Sequence, residues 1–203
     1  MHGRFITFEG IDGAGKSTHL AWFADQLRTH GVTVLLTREP GGSPLAEQLR
    51  TLVLSQPMSM TTELLLMFAA RQDHLDAVVG PALARGEWVL CDRFTDSTFA
   101  YQGAGRGAQT DRIAILEQWV QAGRQPDRTY LFDLPPEEAA RRRAGARAPD
   151  RFEQEDLAFF SRVRGGYARR VQQDPARFVT IDARQDIDTI RLLLLASIKE
   201  LMK

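Results

Sequence analysis

Gly10-Ile11-Asp12-Gly13-Ala14-Gly15-Lys16-Ser17 fits the pattern Gly-x-x-x-x-Gly-Lys-[Ser/Thr] at every fixed position. Before it, residues 4–9 form a short apolar run that reads as a strand. Behind it, Leu20, Phe23, Ala24 and Leu27 recur at helical spacing. A strand, a glycine-rich turn and an amphipathic helix in that order make a phosphate cradle. Glycines let successive backbone N–H groups turn inward toward anionic oxygens. The helix beginning near Lys16 points its positive end at the same anion. Lys16, expected to stand exposed in the loop, adds a full charge toward the β- and γ-phosphates. The Ser17 hydroxyl, next to Thr18, can ligate Mg²⁺. The stretch from Gly10 to Thr18 is therefore expected to hold the phosphates of a nucleotide.

Outward from the cradle, short apolar runs alternate with longer helical patterns. Further strands are predicted over residues 32–37, 88–91, 129–133 and 178–181. Helices are predicted over 16–30, 44–54, 61–85, 111–122, 136–143, 155–173 and 187–201. Five strands separated by helices imply an α/β fold with a five-stranded parallel sheet flanked by helices. No repeat or low-complexity linker divides the chain, so residues 1–203 read as one domain. Residues 144–150 lack a core-like pattern and carry Gly145 and Pro149 among basic residues, which predicts a mobile loop.

Composition narrows the class. Lys plus Arg and Asp plus Glu are 26 each, so the formal net charge is zero and a nucleic-acid polymer is not the expected partner. Cys91 is the single cysteine. It excludes an intrachain disulfide and a Cys-based metal cluster, and is expected as a small buried strand residue. No apolar run is long enough for a signal peptide or a membrane span, which predicts a cytoplasmic protein without membrane contact.

The run Val89-Leu90-Cys91 delivers Asp92 at a strand end, a suitable place for a carboxylate near Mg²⁺. A guanine-nucleotide hydrolase would show Asp-x-x-Gly there and Asn-Lys-x-Asp later, and neither is present. Arg141, Arg142, Arg143, Arg147 and Arg151 form a basic cluster. Three consecutive arginines on a helix point in different directions, so they cannot all serve one site. Phosphoryl transfer nonetheless needs cations around the migrating group. The loop supplies only Lys16, and arginines on a closable lid over about 141–153 would add charge and exclude water. Arg143, Arg147 and Arg151 are the candidates.

At this point a resemblance becomes specific. Phe8-Glu9-Gly10-Ile11-Asp12-Gly13-Ala14-Gly15-Lys16-Ser17, then Thr37-Arg38-Glu39-Pro40-Gly41-Gly42, then Asp92-Arg93-Phe94, then Ser97 to Tyr101-Gln102-Gly103, resembles bacterial thymidylate kinase. Asp150-Arg151-Phe152-Glu153 is similar to the end of that family's lid. The match runs from Arg4 to the C-terminal helix in unbroken motif order. It implies a P-loop nucleoside monophosphate kinase with a mobile lid, moving the γ-phosphoryl group of ATP to dTMP with Mg²⁺ in dTTP synthesis, and a homodimer.

The resemblance also implies roles at matching positions. Asp12 would sit near the deoxyribose 3′-hydroxyl. Arg93 and Arg50 would hold the dTMP phosphate, with Arg38 close by. Arg71 would reach the thymine edge, with Ser97, Thr98 and Gln102 nearby, and Tyr101 would lie under the sugar. Ser17 and Asp92 would serve the metal, and Arg184 would lie near adenine. A P-loop without its own arginine resembles the subtype that recruits one from the lid, whereas the other subtype has a basic residue at the position of Gly13. The chain departs from the family at the base clamp: where a Phe usually stacks on thymine it has Met67, followed by Phe68, and either residue is open as the contact. The expected mechanism is direct in-line transfer, because a phosphate oxygen is already a nucleophile near neutral pH. Two alternatives stay open on the residues alone: a kinase for another small acceptor, and a non-catalytic nucleotide-binding regulator.

Overall fold

The structure, a computed structural model, describes residues 3–143, 151–152 and 154–203. Five parallel strands form one sheet in the order β2-β3-β1-β4-β5. They are β1 (Phe5–Glu9), β2 (Val34–Arg38), β3 (Trp88–Asp92), β4 (Arg128–Asp133) and β5 (Phe178–Asp182). Every residue of β1 is buried, as the central strand of a sheet covered on both faces must be. Phe8 meets Phe23 edge-on at 5.5 Å and stacks on Phe132 at 5.9 Å, so the strand next to the cradle is fixed by aromatic packing. Burial of each such ring is worth about 3 kcal/mol.

The helices are α1 (Lys16–Thr29), α2 (Pro44–Ser55), α3 (Met60–His74), α4 (Gly80–Ala84), α5 (Thr95–Thr98), α6 (Thr110–Gln121), α7 (Pro136–Arg143), α8 (Leu157–Gln173) and α9 (Ile187–Leu201). Their starts have clear local causes. Ser43, Ser59, Asp156 and Asp186 each accept a backbone N–H of the first turn of α2, α3, α8 and α9. No side chain caps α1: Gly15 precedes it in the left-handed region, and the first N–H groups are left to the loop.

The single helix expected over 61–85 is broken. Leu75–Val79 adopts the wider π geometry between α3 and α4. A second π segment, Phe99–Gly105, continues α5 and had no counterpart in the sequence pattern. The second brings Tyr101 and Gln102 to the cleft described below, whereas Leu75 and Val79 of the first pack in the core with Phe5, Val89 and Phe94. The expected loop over 144–150 lies outside the described residues.

The strand order reverses at β1, where the chain passes from the β2–β3 side to the β4–β5 side. Open parallel sheets bind ligands at that switch point, beyond the carboxyl ends of the strands. Here Phe8 pairs with Asp92, which sets the glycine loop after β1 beside the turn after β3.

Candidate active site

A cleft of about 500 Å³ opens at that switch point. One end is the glycine loop. Gly10 and Gly13 have φ of 134° and 89°. A side chain at Gly10 would strike the Phe132 carbonyl, and one at Gly13 would come within 2.7 Å of the Ala139 carbonyl of α7. The loop backbone therefore requires glycine at both positions. Lys16 is not exposed, as the sequence reading had it, but 6% accessible. Its Nζ folds back to donate to the Gly10 and Ile11 carbonyls at 2.9 and 3.2 Å. Burial, then the nearby Arg93 charge, pulls its pKa below the ordinary lysine value. Ser17 Oγ donates to Asp92 Oδ2 at 3.1 Å, and Asp92 Oδ1 is buried without a partner.

The middle of the cleft is organised around Arg93, which holds a left-handed φ of 69°. Its Nη2 donates to Asp12 Oδ1 at 2.8 Å and to the Tyr101 hydroxyl at 3.1 Å. Its Nη1 donates to Ser97 Oγ and to the Tyr167 hydroxyl, both at 3.1 Å. Burial alone would push the Asp12 carboxyl up, but the Arg93 and Lys16 charges outweigh it and hold it well below the usual carboxylate range. Beneath this hub Glu9 is fully buried. It accepts from the Phe94 N–H (2.7 Å), Ser97 Oγ (2.7 Å) and the Tyr167 hydroxyl (2.9 Å). Burial, then the Asp96 charge, raises its pKa to about 7. Arg38 pairs with Glu47 at 2.8 Å, and Arg50 Nη1 donates to the Pro40 carbonyl at 2.8 Å; both line the cleft.

The far end is built from α3 and the α5 region. Arg71 is buried, yet its partner is neither Asp73 nor Glu63, its neighbours in sequence. Nε donates to Glu39 Oε2 at 2.7 Å and Nη2 to Thr98 Oγ1 at 3.1 Å, while Nη1 is buried without a partner. Asp73 instead takes the Ser43 hydroxyl. Glu63 holds Gln102 Nε2 at 2.9 Å and Arg106 and Arg151 at 2.6 Å each. Gln102 Oε1, like Arg71 Nη1, is buried without a partner. Met67 lines the cleft. Phe68 does not line it: it is 2% accessible, packed with Leu64, Phe99 and Ile113, with the Arg71 guanidinium 4.7 Å from its ring centre.

The lid candidates differ. Arg143 Nη1 donates to the Asp12 carbonyl of the glycine loop at 2.9 Å, and its guanidinium covers the Phe160 ring at 4.4 Å. Arg151 turns away to Glu63 and, at 3.3 Å, to the Gln56 carbonyl. Arg147 lies outside the described residues. Arg142, which the sequence could not separate from its neighbours, lines the cleft, as does Phe152. Arg184 lies outside the cleft lining, exposed and paired with Asp182 at 2.7 Å. Thr18 faces the cleft; Ile11 and Ala14 are buried under the loop. Cys91 is fully buried, as expected.

A glycine-loop cradle is thus joined through an arginine hub to a polar end lined by Arg71 and Gln102, which carry one unpartnered buried donor and one unpartnered buried acceptor. Comparison with known proteins gives that geometry its family. The thymidylate kinase family model matches residues 8–192. The chain belongs to the thymidylate kinase family. Curated thymidylate kinases of Cupriavidus metallidurans and Bordetella petrii are 61% and 58% identical over 194 and 199 residues. These alignments cover 96% and 98% of this chain and 96% of each relative. A crystal structure of thymidylate kinase from Ehrlichia chaffeensis superposes with a TM-score of 0.79 at 37% identity, covering 100% of both chains. Thymidylate kinases are nucleoside monophosphate kinases that use ATP as phosphoryl donor, and this chain is an enzyme of that class. Neither alternative left open by the residues, a kinase for another acceptor or a non-catalytic regulator, fits that membership.

Proposed function

We propose that the cleft divides its two substrates along its length, with ATP at the glycine loop and dTMP between Arg93 and Arg71. The reaction, transfer of the γ-phosphoryl group of ATP to dTMP in dTTP synthesis, is that of the family. The observation that carries the division is the pair of unpartnered groups at the closed end, Arg71 Nη1 and Gln102 Oε1. Thymine offers an acceptor at O4 beside a donor at N3, which complements that donor and acceptor. Cytosine offers an amino donor beside an acceptor, which inverts both.

On this reading the backbone from Gly10 to Thr18 and the Lys16 ammonium hold the donor phosphates, and Arg184 borders the adenine. Arg93, Arg50 and Arg38 hold the acceptor phosphate. Asp12 takes the 3′-hydroxyl, Tyr101 and Ser97 close on the sugar, Met67 lies against the base, and Arg71, Thr98 and Gln102 read its edge. Phe68 acts only from beneath, by supporting Arg71. Catalysis is positioning plus charge neutralisation. Arg93 fixes the acceptor oxygen in line, Lys16 takes up charge on the transferring group, and Arg143 and Arg147 are the lid arginines suited to join it. Arg151 serves as a latch on Glu63 unless the lid rearranges.

Ser17 and Asp92 fit Mg²⁺. A hydroxyl and a carboxylate meet at the phosphate loop, and one carboxylate oxygen is buried with no protein partner. Among the described residues no group of three or more Asp, Glu, His or Cys side chains is placed to hold a metal ion, and Mg²⁺ bound to phosphates takes most of its ligands from them and from water. When bound, the ion neutralises charge on the β- and γ-oxygens.

We further propose a single domain with its lid at about 141–153, acting in the cytoplasm as a homodimer. Support for a second copy comes from exposed Leu65 of α3 and exposed Ile115 and Trp119 of α6, large apolar groups on adjacent helices. No described helix is long and apolar enough to cross a membrane.

Calorimetric titration tests the division. Arg93→Ala and Arg50→Ala are expected to weaken dTMP about tenfold or more, with a non-transferable ATP analogue bound within about twofold of wild type. Equal weakening of both ligands would overturn it.

A further inference from the structure

We infer that Glu39 and His74 are positioning residues that set base specificity by holding the Arg71 fork. The inference rests on the reading of Arg71 as the group that faces the base.

Neither residue takes part in the reaction as proposed above, yet Glu39 bonds Arg71 directly and His74 bonds Glu39. The guanidinium lies between two rings, 4.7 Å from the centre of Phe68 and 5.1 Å from that of Phe94, so its plane is fixed. Rotation within that plane is what remains. Glu39 removes it: Oε2 accepts from Arg71 Nε at 2.7 Å, which sets Nη2 on Thr98 and leaves Nη1 as the unpartnered nitrogen of a residue that lines the cleft. A carboxylate on a free side chain could swing and give the same bond in several places. This one cannot, because its other oxygen is tied to His74 Nδ1 at 2.9 Å. His74 is tied in turn, Nε2 to Thr37 Oγ1 at 2.7 Å.

Arg71 Nε–H and His74 Nδ1–H both donate to the Glu39 carboxylate, which can only accept, and His74 Nε2 pairs with the Thr37 hydroxyl. Arg71, Glu39 and His74 are all buried. The fork is thus built like the support of a metal-binding histidine, in which outer hydrogen bonds fix the orientation of the working group. The chain also leaves no room for slack around the imidazole. A side chain at Gly42 would come within 2.5 Å of His74 Nε2, so only glycine lets the loop close over the ring. Glu39 is the one carboxylate paired with Arg71 among the described residues, and without it the buried cation would be left without its counter-charge.

The test measures kcat and KM for dTMP and dCMP, with ATP, in a coupled ADP-release assay on the full chain. Glu39→Gln and His74→Leu are expected to raise the KM for dTMP about tenfold. They should lower the dTMP/dCMP ratio of kcat/KM at least tenfold and leave the KM for ATP within twofold. His74→Asn, whose amide can replace the Nδ1–H donor, should recover most of the ratio. If Glu39→Gln does not fold, judged by thermal melting, the two His74 variants decide alone. Folded variants with an unchanged dTMP/dCMP ratio, or with an equal rise in the KM for ATP, would overturn the inference. Arg71→Ala separates the two levels. If it leaves the ratio untouched, the base-reading assignment fails first; if it collapses the ratio while Glu39→Gln and His74→Leu do not, only the positioning inference fails.

Discussion

Arg93 and Asp12 are locked together at 2.8 Å, and the Tyr101 hydroxyl bridges them, donating to Asp12 Oδ2 at 3.1 Å and accepting from Arg93 Nη2 at the same distance. The glycine loop after β1 and the turn after β3 are therefore tied across the cleft by one aromatic ring. The Arg93 guanidinium lies 4.9 Å from that ring's centre. With the acceptor placed as proposed, a 2′-hydroxyl would meet this ring. Tyr101→Ala is expected to relax selection against ribonucleotide acceptors, read as a rise of about tenfold in the UMP/dUMP ratio of kcat/KM. An unchanged ratio would mean that the sugar is read elsewhere.

Lys16 reaches the Gly10 and Ile11 carbonyls, so its ammonium is held within the curve of the loop. Lys16→Met keeps the aliphatic volume and removes the charge. It is expected to lower kcat at least ~10²-fold, the usual cost of losing a transition-state cation or donor. The circular dichroism spectrum should be preserved. A variant that keeps more than about a tenth of wild-type kcat would contradict the assignment.

The lid arginines should separate by what they touch. Arg143 is bonded to the glycine loop itself, whereas Arg151 is engaged by Glu63. Arg143→Ala is expected to lower kcat about tenfold or more with the KM for dTMP little changed. Arg151→Ala should cost less in kcat. Normal kcat in Arg143→Ala would move the supplementary cation to Arg142 or Arg147.

Glu9 gives a pH dependence whose sign is fixed. Its folded-state pKa, about 7, lies above the ordinary value of 4.5, so the native state binds this proton more tightly than the unfolded chain. The stability it contributes is fully present below about pH 4.5 and is lost as pH rises through 7. Denaturant unfolding of wild type and Glu9→Gln across pH 5 to 8 reads the contribution of Glu9 and the groups coupled to it, since Gln does not titrate and groups remote from it cancel in the difference. Relative to Glu9→Gln, wild type should lose stability on the order of 3 kcal/mol over that range. A flat difference would show that Glu9 titrates normally, and a gain that its pKa is lowered; either would contradict the prediction.

The parts of this molecule that were legible in its sequence are those with local causes. The glycine loop is written in consecutive residues, and each strand is a short apolar run closed by a turn. The reading of β2 began at Val32, but that residue is buried in the turn after Gly31 and sheet pairing starts at Val34. Phe99–Gly105 could not be read as a π segment because Phe99, Ala100, Tyr101 and Gln102 are buried on all sides and leave no periodic face. The support of Arg71 was hidden for another reason: Glu39 lies 32 residues away, and only the packing of α3 against the end of β2 brings them together. Arg142 and Arg143 are adjacent in sequence but diverge by about 100° around α7, so composition could not say which one faces the cleft.

This chain is a thymidylate kinase-family enzyme that transfers a phosphoryl group from ATP to dTMP, and Arg71 is its proposed reader of the base. The most direct measurement is a coupled ADP-release assay of wild type and Arg71→Ala with dTMP, dUMP, dCMP and UMP as acceptors. ADP formation should depend on the acceptor and be fastest with dTMP. It should be weaker but measurable with dUMP, since one methyl in a pocket is worth only about 1–3 kcal/mol. It should be at least ~10-fold poorer with dCMP, where donor meets donor. Arg71→Ala should raise the KM for dTMP and narrow the gap to dCMP. ADP formation that is independent of the acceptor, or a dTMP/dCMP ratio that Arg71→Ala leaves unchanged, would contradict the account.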